Sequence, residues 1–213
     1  VYSKDDYLNK MLSDKKGNVV LLAGNNKNKI NSISNSILAG LNVLSDKPMI
    51  INKESFALLE QAYGNAAKNN LILYDMMTER YDVINIVQKQ LMQEKELFGE
   101  LIKGTHDNPA IESQSVHHFI KMVSGKPLIR PQWYYEVEQQ GEGRTDVTTH
   151  LIDQIMWKCF PDQTINYKTD VKVSDASRWV TKISLQDFQT STNAVNFPVF
   201  LQEDILNDTL NVY

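Results

Sequence analysis

The most constraining stretch lies near the start of the chain, where Val19-Val20-Leu21-Leu22-Ala23 forms an unbroken apolar run that ends in Gly24-Asn25-Asn26. A short apolar run closed by turn residues is the pattern of a strand buried on both faces, as in a parallel sheet. Ile30, Ile33, Ile37 and Leu38 then recur at helical spacing. Ala39-Gly40 closes that segment, and a second apolar run follows from Leu41 to Leu44. The unit is strand, helix, strand. Such a crossover joins parallel neighbours, and ligands of open parallel sheets collect where the strands reach their carboxyl ends. Here those ends carry Gly24 to Asn26 and Ser45 to Met49.

Asn52, a good N-cap, opens a second helical pattern through Phe56, Leu59, Ala62, Tyr63 and Ala66, and Leu71 to Tyr74 reads as a further strand. Ile84, Val87, Leu91, Phe98 and Leu101 predict the longest helix, ending near Gly104. After residue 105 the texture changes. Trp133, Tyr135 and Val137 alternate with Tyr134, Glu136 and Glu138, which predicts a half-buried antiparallel strand. Val147, Leu151, Ile155 and Met156 predict a helix to about Lys158, with Pro161 beyond it. Ile165 to Val173, Thr181 to Phe188 and Val195 to Leu201 have strand-like content. The expected fold is α/β followed by α+β: a parallel sheet joined to an open, mostly antiparallel sheet with helices on one face. The expected domains are residues 1–76 and residues 77–213.

Composition narrows the partners. The 213 residues are 42% hydrophobic and 23% charged, as in ordinary globular proteins. With 22 Lys plus Arg against 26 Asp plus Glu, the net charge of -4 leaves no basic footprint for a phosphate backbone, so nucleic acid is not an expected partner. No apolar run approaches the roughly 18 residues of a membrane-spanning helix, and no membrane partner is expected. A cytoplasmic location is expected, with the periplasm as the alternative. Cys159 has no second cysteine to pair with and reads as a structural thiol rather than a nucleophile. His106 beside Asp107, and His117-His118, lack the spacing of a zinc site, so no metal is expected.

Two segments could carry chemistry. Asp46-Lys47-Pro48-Met49 follows a predicted buried strand, and the proline fixes its own backbone angle and removes a donor, holding Lys47 at the sheet edge. A lysine in a cleft can stabilise a developing alkoxide; the alternative is a Lys-Pro turn with a solvated side chain. In Gly143-Arg144-Thr145-Asp146-Val147-Thr148-Thr149-His150-Leu151-Ile152-Asp153, Asp146 and His150 are four apart. On a helix they share one face, opposite Val147, Leu151 and Ile155. The histidine can accept a proton from a substrate hydroxyl while a carboxylate orients the ring. The alternative is a helix-opening Asp and a surface His. Trp133, with Tyr134 and Tyr135, could stack on a sugar face or fill a core or interface.

Together, Gly40-Leu41-Asn42-Val43-Leu44-Ser45-Asp46-Lys47-Pro48 and the segment from Gly143 to His150 resemble the glucose-fructose oxidoreductase and inositol dehydrogenase family, Gfo/Idh/MocA, and within it the C-terminal region of Bacteroides-type oxidoreductases. The first matches the family's Glu-Lys-Pro motif, with Asp46 in place of Glu. The second is similar to Gly-x-x-Asp-x-Gly-x-His, with Thr148 in place of the second glycine. Ala23-Gly24-Asn25-Asn26 looks like the family's Thr-Pro-Asn turn beside the nicotinamide, with Gly24 departing from the proline. Leu71 to Arg80 resembles the strand entering the second domain. The resemblance implies hydride transfer between NAD or NADP and a hydroxyl-bearing carbon of a sugar, polyol or related small molecule. It implies Lys47, Asp146 and His150 as catalytic residues: His150 removes the hydroxyl proton, Lys47 stabilises the oxygen, and Asp146 orients the acid-base apparatus. It further implies that residues 1–76 are the last part of a nucleotide-binding domain, the remnant of a Rossmann-type parallel sheet, and residues 77–213 a substrate-binding and oligomerisation domain, with Asn25, Asn26, Lys47 and Pro48 against the cofactor, Arg80 and Trp133 as substrate-contact candidates, and assembly into a homo-oligomer. No strand, G-x-G-x-x-G turn and helix occurs in the sequence; Gly141-Glu142-Gly143 is no substitute. The expectation is therefore an enzyme incomplete at its N-terminus, binding NAD(P) poorly or not at all by itself. The alternatives are a noncatalytic binding or assembly domain and an NAD-dependent glycosidase.

Overall fold

The computed structural model describes residues 6–116 and 118–213; His117, half of the histidine pair noted above, lies outside the described residues. In chain order the elements are α1 (Tyr7–Asp14), β1 (Val19–Leu22), α2 (Lys29–Leu38), β2 (Asn42–Asp46), α3 (Phe56–Lys68), β3 (Leu73–Met76), a 3₁₀ turn (Thr78–Tyr81), α4 (Val83–Met92) and α5 (Lys95–Phe98). Then come β4 (Met122–Val123), β5 (Lys126–Pro127), a 3₁₀ turn (Gln132–Tyr135), α6 (Val137–Gln140), α7 (Gly143–Asp146) and α8 (Thr148–Cys159). The chain closes with β6 (Thr181–Ser184), α9 (Leu185–Thr192), a 3₁₀ turn (Val199–Asp204), β7 (Ile205–Leu206) and β8 (Thr209–Val212). The order is α/β followed by α+β, as the sequence implied. Two compact units divide the chain: the described residues up to Met76 with Pro131–Asp146, and Met77–Arg130 with Val147–Tyr213.

In the first unit β1, β2 and β3 form a parallel sheet in that order, with Val20 beside Val43 and Val43 beside Leu73. Neighbouring parallel strands joined by right-handed crossovers place their helices on one side. That side is the core: Ile30, Ile33 and Ile37 of α2 and Ala62 and Ala66 of α3 close over Val43, Leu73 and Met49. The opposite side is bare. Leu21, Leu44 and Tyr74 lie in register across the sheet, and Leu21 is 63% and Tyr74 39% exposed. The expectation that the first strand is buried on both faces is thus corrected, because both crossover helices occupy the same side.

The later segment of this unit also differs from its expected form. Pro131 leads into a 3₁₀ turn in which the adjacent Tyr134 and Tyr135 are both buried, with ring centroids 5.8 Å apart and edge to face. Two consecutive inward side chains are incompatible with the predicted strand at Trp133 to Val137, whose side chains would alternate. Gly141 then adopts φ 92°, and a Cβ there would come within 2.9 Å of Ile51 Cγ2. Only glycine suits both the backbone angle and the space.

In the second unit α8 packs on α4 and on the 3₁₀ turn before it. Lys158 donates to Asn85 Oδ1 at 2.8 Å and Gln88 Oε1 at 2.5 Å, and Lys89 Nζ sits 4.5 Å from the centre of the Trp157 ring. The predicted helix from Ile84 to Gly104 is two pieces, since α4 stops at Met92 and the four-residue α5 stops at Gly99, whose φ is 75°. β6, β8 and β7 form an antiparallel sheet in that order, with buried Ile183 opposite buried Leu210. Phe188 of α9 is fully buried and its ring lies 4.9 Å from that of Phe197. The predicted strand from Thr181 to Phe188 ends at Ser184, whose hydroxyl accepts from Asp187 N at 3.1 Å and starts α9. Ile165 to Val173 forms no strand, and Val171 and Val173 are exposed. Val195 to Leu201 also fails to extend, because Pro198 opens a 3₁₀ turn at Val199.

Candidate functional site

The carboxyl ends of the parallel strands in the first unit gather most of the sequence-predicted polar residues. β2 delivers Lys47 at its end, and the Lys47–Pro48 peptide is cis. Lys47 Nζ donates to Asp146 Oδ1 at 2.5 Å and to the Asp146 carbonyl at 2.6 Å. Both side chains are mostly buried, at 16% and 13% exposed, so water screens their attraction only in part. The other carboxylate oxygen, Asp146 Oδ2, accepts from the Tyr134 hydroxyl at 3.3 Å. Asp146 is therefore gripped by an ammonium and a phenol, and in return fixes where the lysine charge sits. Lys47 is not the solvated lysine of a bare turn.

Beneath it lies a polar layer that spacing had not singled out. Buried Lys29, at the start of α2, donates to Asn26 Oδ1 at 2.7 Å and to the Asp46 carbonyl at 3.1 Å. One ammonium thus ties the turn after β1 to the end of β2. Burial lowers the Lys29 pKa from its ordinary value, opposed first by the charge of Asp46. Asn26 is itself buried and donates to the Gln140 carbonyl at 2.8 Å, while Asn25 Nδ2 donates to Gln139 Oε1 at 2.9 Å. The predicted cofactor-side residues Asn25, Asn26, Lys47 and Pro48 all sit in this unit at the strand ends. Trp133 belongs to the same unit, half-buried on the 3₁₀ turn rather than on a strand. The signal for Lys29 was present as a lysine inside an otherwise apolar-periodic helix start, but a charged residue there reads first as solvent-facing.

His150 and Arg80 lie in the second unit. The predicted single helix carrying both Asp146 and His150 is interrupted: α7 ends at Asp146, Val147 intervenes, and α8 starts at Thr148 with His150 N bonded to the Val147 carbonyl at 3.0 Å. Thr148, where a glycine was expected from the resemblance, lies in the first turn of α8 without difficulty. His150 has its side chain 19% exposed, and Glu79 Oε1 stands 3.5 Å from its Nδ1. Glu79 was missed, because 71 residues separate it from the histidine and no local pattern links them. Arg80 makes a bidentate ion pair with Asp153, Nε reaching Oδ2 at 2.9 Å while its NH2 group engages Oδ1. Among the described residues no cluster of His, Cys, Asp and Glu is arranged to hold a metal ion, and no helix is long and apolar enough to cross a membrane.

The fold is thus a parallel sheet with polar groups at its carboxyl ends, followed by an α+β unit. The chain superposes on a putative oxidoreductase from Parabacteroides merdae with a TM-score of 0.94 and 50% identity, covering 100% of this chain and 48% of that one. GenD2 from gentamicin A biosynthesis, solved in complex with NAD, gives a TM-score of 0.54 at 18% identity over 84% of this chain and 42% of that one. An NAD-binding protein from Listeria innocua gives 0.51 at 20% identity over 83% and 42%. The last two likenesses concern the fold alone. No curated protein matches the chain. Residues 87–213 match the family described as putative oxidoreductase C terminal domain. The chain belongs to that family, with the fold of Gfo/Idh/MocA-type oxidoreductases, and it spans about half the length of the Parabacteroides protein.

Proposed function

We propose that the protein carrying this chain oxidises a hydroxyl-bearing carbon of a sugar, polyol or related small molecule with NAD or NADP. The observation that carries the reading is the Lys47–Asp146 pair, an ammonium fixed at 2.5 Å by a mostly buried carboxylate at the carboxyl end of β2. Keeping two ionised side chains largely out of water costs several kcal/mol per ion before their mutual attraction is counted, on the order given for buried pairs. Placement at the ligand-binding edge of a parallel sheet gives such a pair a use.

The chemistry assigned to these residues is proton handling. His150 accepts the hydroxyl proton, and the Lys47 ammonium stabilises the negative charge that develops on the oxygen. Asp146 keeps that ammonium in place, a role that its hydrogen bonds support. When bound, a nicotinamide would supply the hydride acceptor for the carbinol carbon. Asn25, Asn26, Lys47 and Pro48 lie where β1 and β2 end, the edge a nicotinamide would approach, and the Asn25 and Asn26 amides and the Lys47 ammonium are bonded to Gln139, Gln140 and Asp146, so a bound nicotinamide would share or displace those contacts. Nothing in the sequence supplies a glycine-rich turn for the pyrophosphate, so this chain by itself is expected to hold the dinucleotide weakly. Neighbours solved with NAD or named as NAD-binding support the cofactor class. Homo-oligomeric assembly remains part of the proposal.

The test is steady-state oxidation by the full-length protein over a panel of sugars and polyols. His150→Ala is expected to lower kcat by about 10²–10⁴-fold, the range of a lost general base. Lys47→Met is expected to lower it by about 10²–10³-fold, the range of a lost oxyanion donor. Undiminished turnover in both variants, with the fold intact by circular dichroism, would refute the assignment.

A further inference from the structure

Among the described residues, His150 Nδ1 is buried and has no hydrogen-bond partner. A buried imidazole nitrogen in that state is costly unless a partner closes on it, and buried polar atoms of this kind are where an unmade functional contact shows. The carboxylate that can close is Glu79, whose Oε1 is 3.5 Å away, about half an ångström beyond a good N–H to O distance. The backbone at Glu79 is held firmly, since its carbonyl accepts from Asn85 Nδ2 at 2.9 Å and from Asp82 N at 3.3 Å. Its carboxylate is 46% exposed and has room to make the final adjustment.

The other charged side chains of α8 are committed elsewhere. Asp153, three residues beyond His150, is held by the bidentate Arg80. Lys158 bonds to Asn85 and Gln88. Gln154, one helical turn from His150 on the same face, has both amide atoms buried without a partner, so it does not satisfy the ring in this arrangement.

The geometry points to Glu79 as the positioning residue of His150. Its carboxylate accepts a hydrogen bond from Nδ1–H, which fixes the neutral tautomer whose lone pair is on Nε2 and then stabilises the imidazolium. This rests on the reading of His150 as the base. In the oxidation, the carbinol C–H bond breaks and its electron pair leaves with the hydrogen to the oxidised nicotinamide. The O–H proton goes to Nε2, the carbon–oxygen double bond forms, and the imidazolium later returns its proton to water. Glu79 gains and loses no proton in the cycle.

The ring tautomer gives a measurement independent of turnover. Nitrogen-15 shifts of the His150 ring in the 213-residue chain are expected to report Nδ1–H in the wild type. Glu79→Gln, whose amide oxygen can still accept, is expected to keep that tautomer, and Glu79→Leu to move the ring toward Nε2–H. In the full-length protein Glu79→Leu is expected to lower kcat by about 10–100-fold with little change in KM, the scale of losing a carboxylate that orients a functional histidine. An identical tautomer in wild type and Glu79→Leu, both folded, would overturn the inference. A tautomer that responds while the protein oxidises no hydroxyl compound would uphold the pairing and sink the redox reading instead.

Discussion

Lys29 in the first unit and Lys158 in the second are both buried, but they are surrounded by different chemistry. Lys29 bridges Asn26 and the Asp46 carbonyl and feels the charges of Asp46, Asp75 and Asp146, with Lys47 opposing. Lys158 meets two neutral amide oxygens, those of Asn85 and Gln88, and its own carbonyl accepts from Gln93. One lysine is embedded in a field of alternating charge at the strand ends. The other bolts two helices together. Burial of a charged group is therefore a poor guide to function by itself; what separates the two is whether ionised partners share the same few ångströms.

Replacing each lysine by methionine separates the two roles. Lys29→Met releases the turn carrying Asn26 from the end of β2, so activity of the full-length protein is expected to fall about 10–100-fold, the scale of a small misplacement of catalytic groups. Stability should also acquire a different pH dependence. Because folding lowers the Lys29 pKa, the folded state holds that proton less firmly than the unfolded chain. The penalty is complete below the lowered value and is relieved as pH rises through it toward 10.5. Thermal melts of wild type should therefore gain on Lys29→Met over that alkaline window; parallel curves would show that Lys29 titrates in the fold as it does in water.

Lys158→Met sharpens the contrast from the other side. Turnover is expected to be unchanged and stability to fall by about 1 kcal/mol, the net worth of an ordinary hydrogen bond, because Gln88 is exposed and its amide can turn to water. Urea unfolding and a rate assay on the same preparation check both halves. The smallest effect concerns the neighbouring Cys159. Burial raises its thiol pKa, with the Lys158 charge acting in the opposite direction. Alkylation at neutral pH should be slower than for a small-molecule thiol, and Lys158→Met should slow it slightly further.

These outcomes bear on what could be read from the chain beforehand. The crossover with Ile30, Ile33 and Ile37 beneath Val43, and the helix through Leu151 and Ile155, were legible because each depends on periodicity within a dozen residues. The run at Trp133 to Val137 misled because alternation was inferred from side-chain type, whereas Pro131 and the adjacent burial of Tyr134 and Tyr135 impose a turn. Of the site, Lys47 and Asp146 were legible from their motifs, but their mutual contact joins residues 99 apart in the chain. Glu79 and Lys29 carried no motif at all. Their importance arises from what folding brings beside them, and a linear pattern has no access to that.

The bare side of the parallel sheet has a practical consequence. Val19, Leu21 and Tyr74 present greasy rungs to solvent, and β1 ends the sheet with an unpaired edge among the described residues. An unpaired apolar edge templates further strands. Concentrated stocks of the isolated 213-residue polypeptide will accordingly tend toward clouding and sediment, and mild nonionic surfactant or low working concentration suits its storage better than added salt.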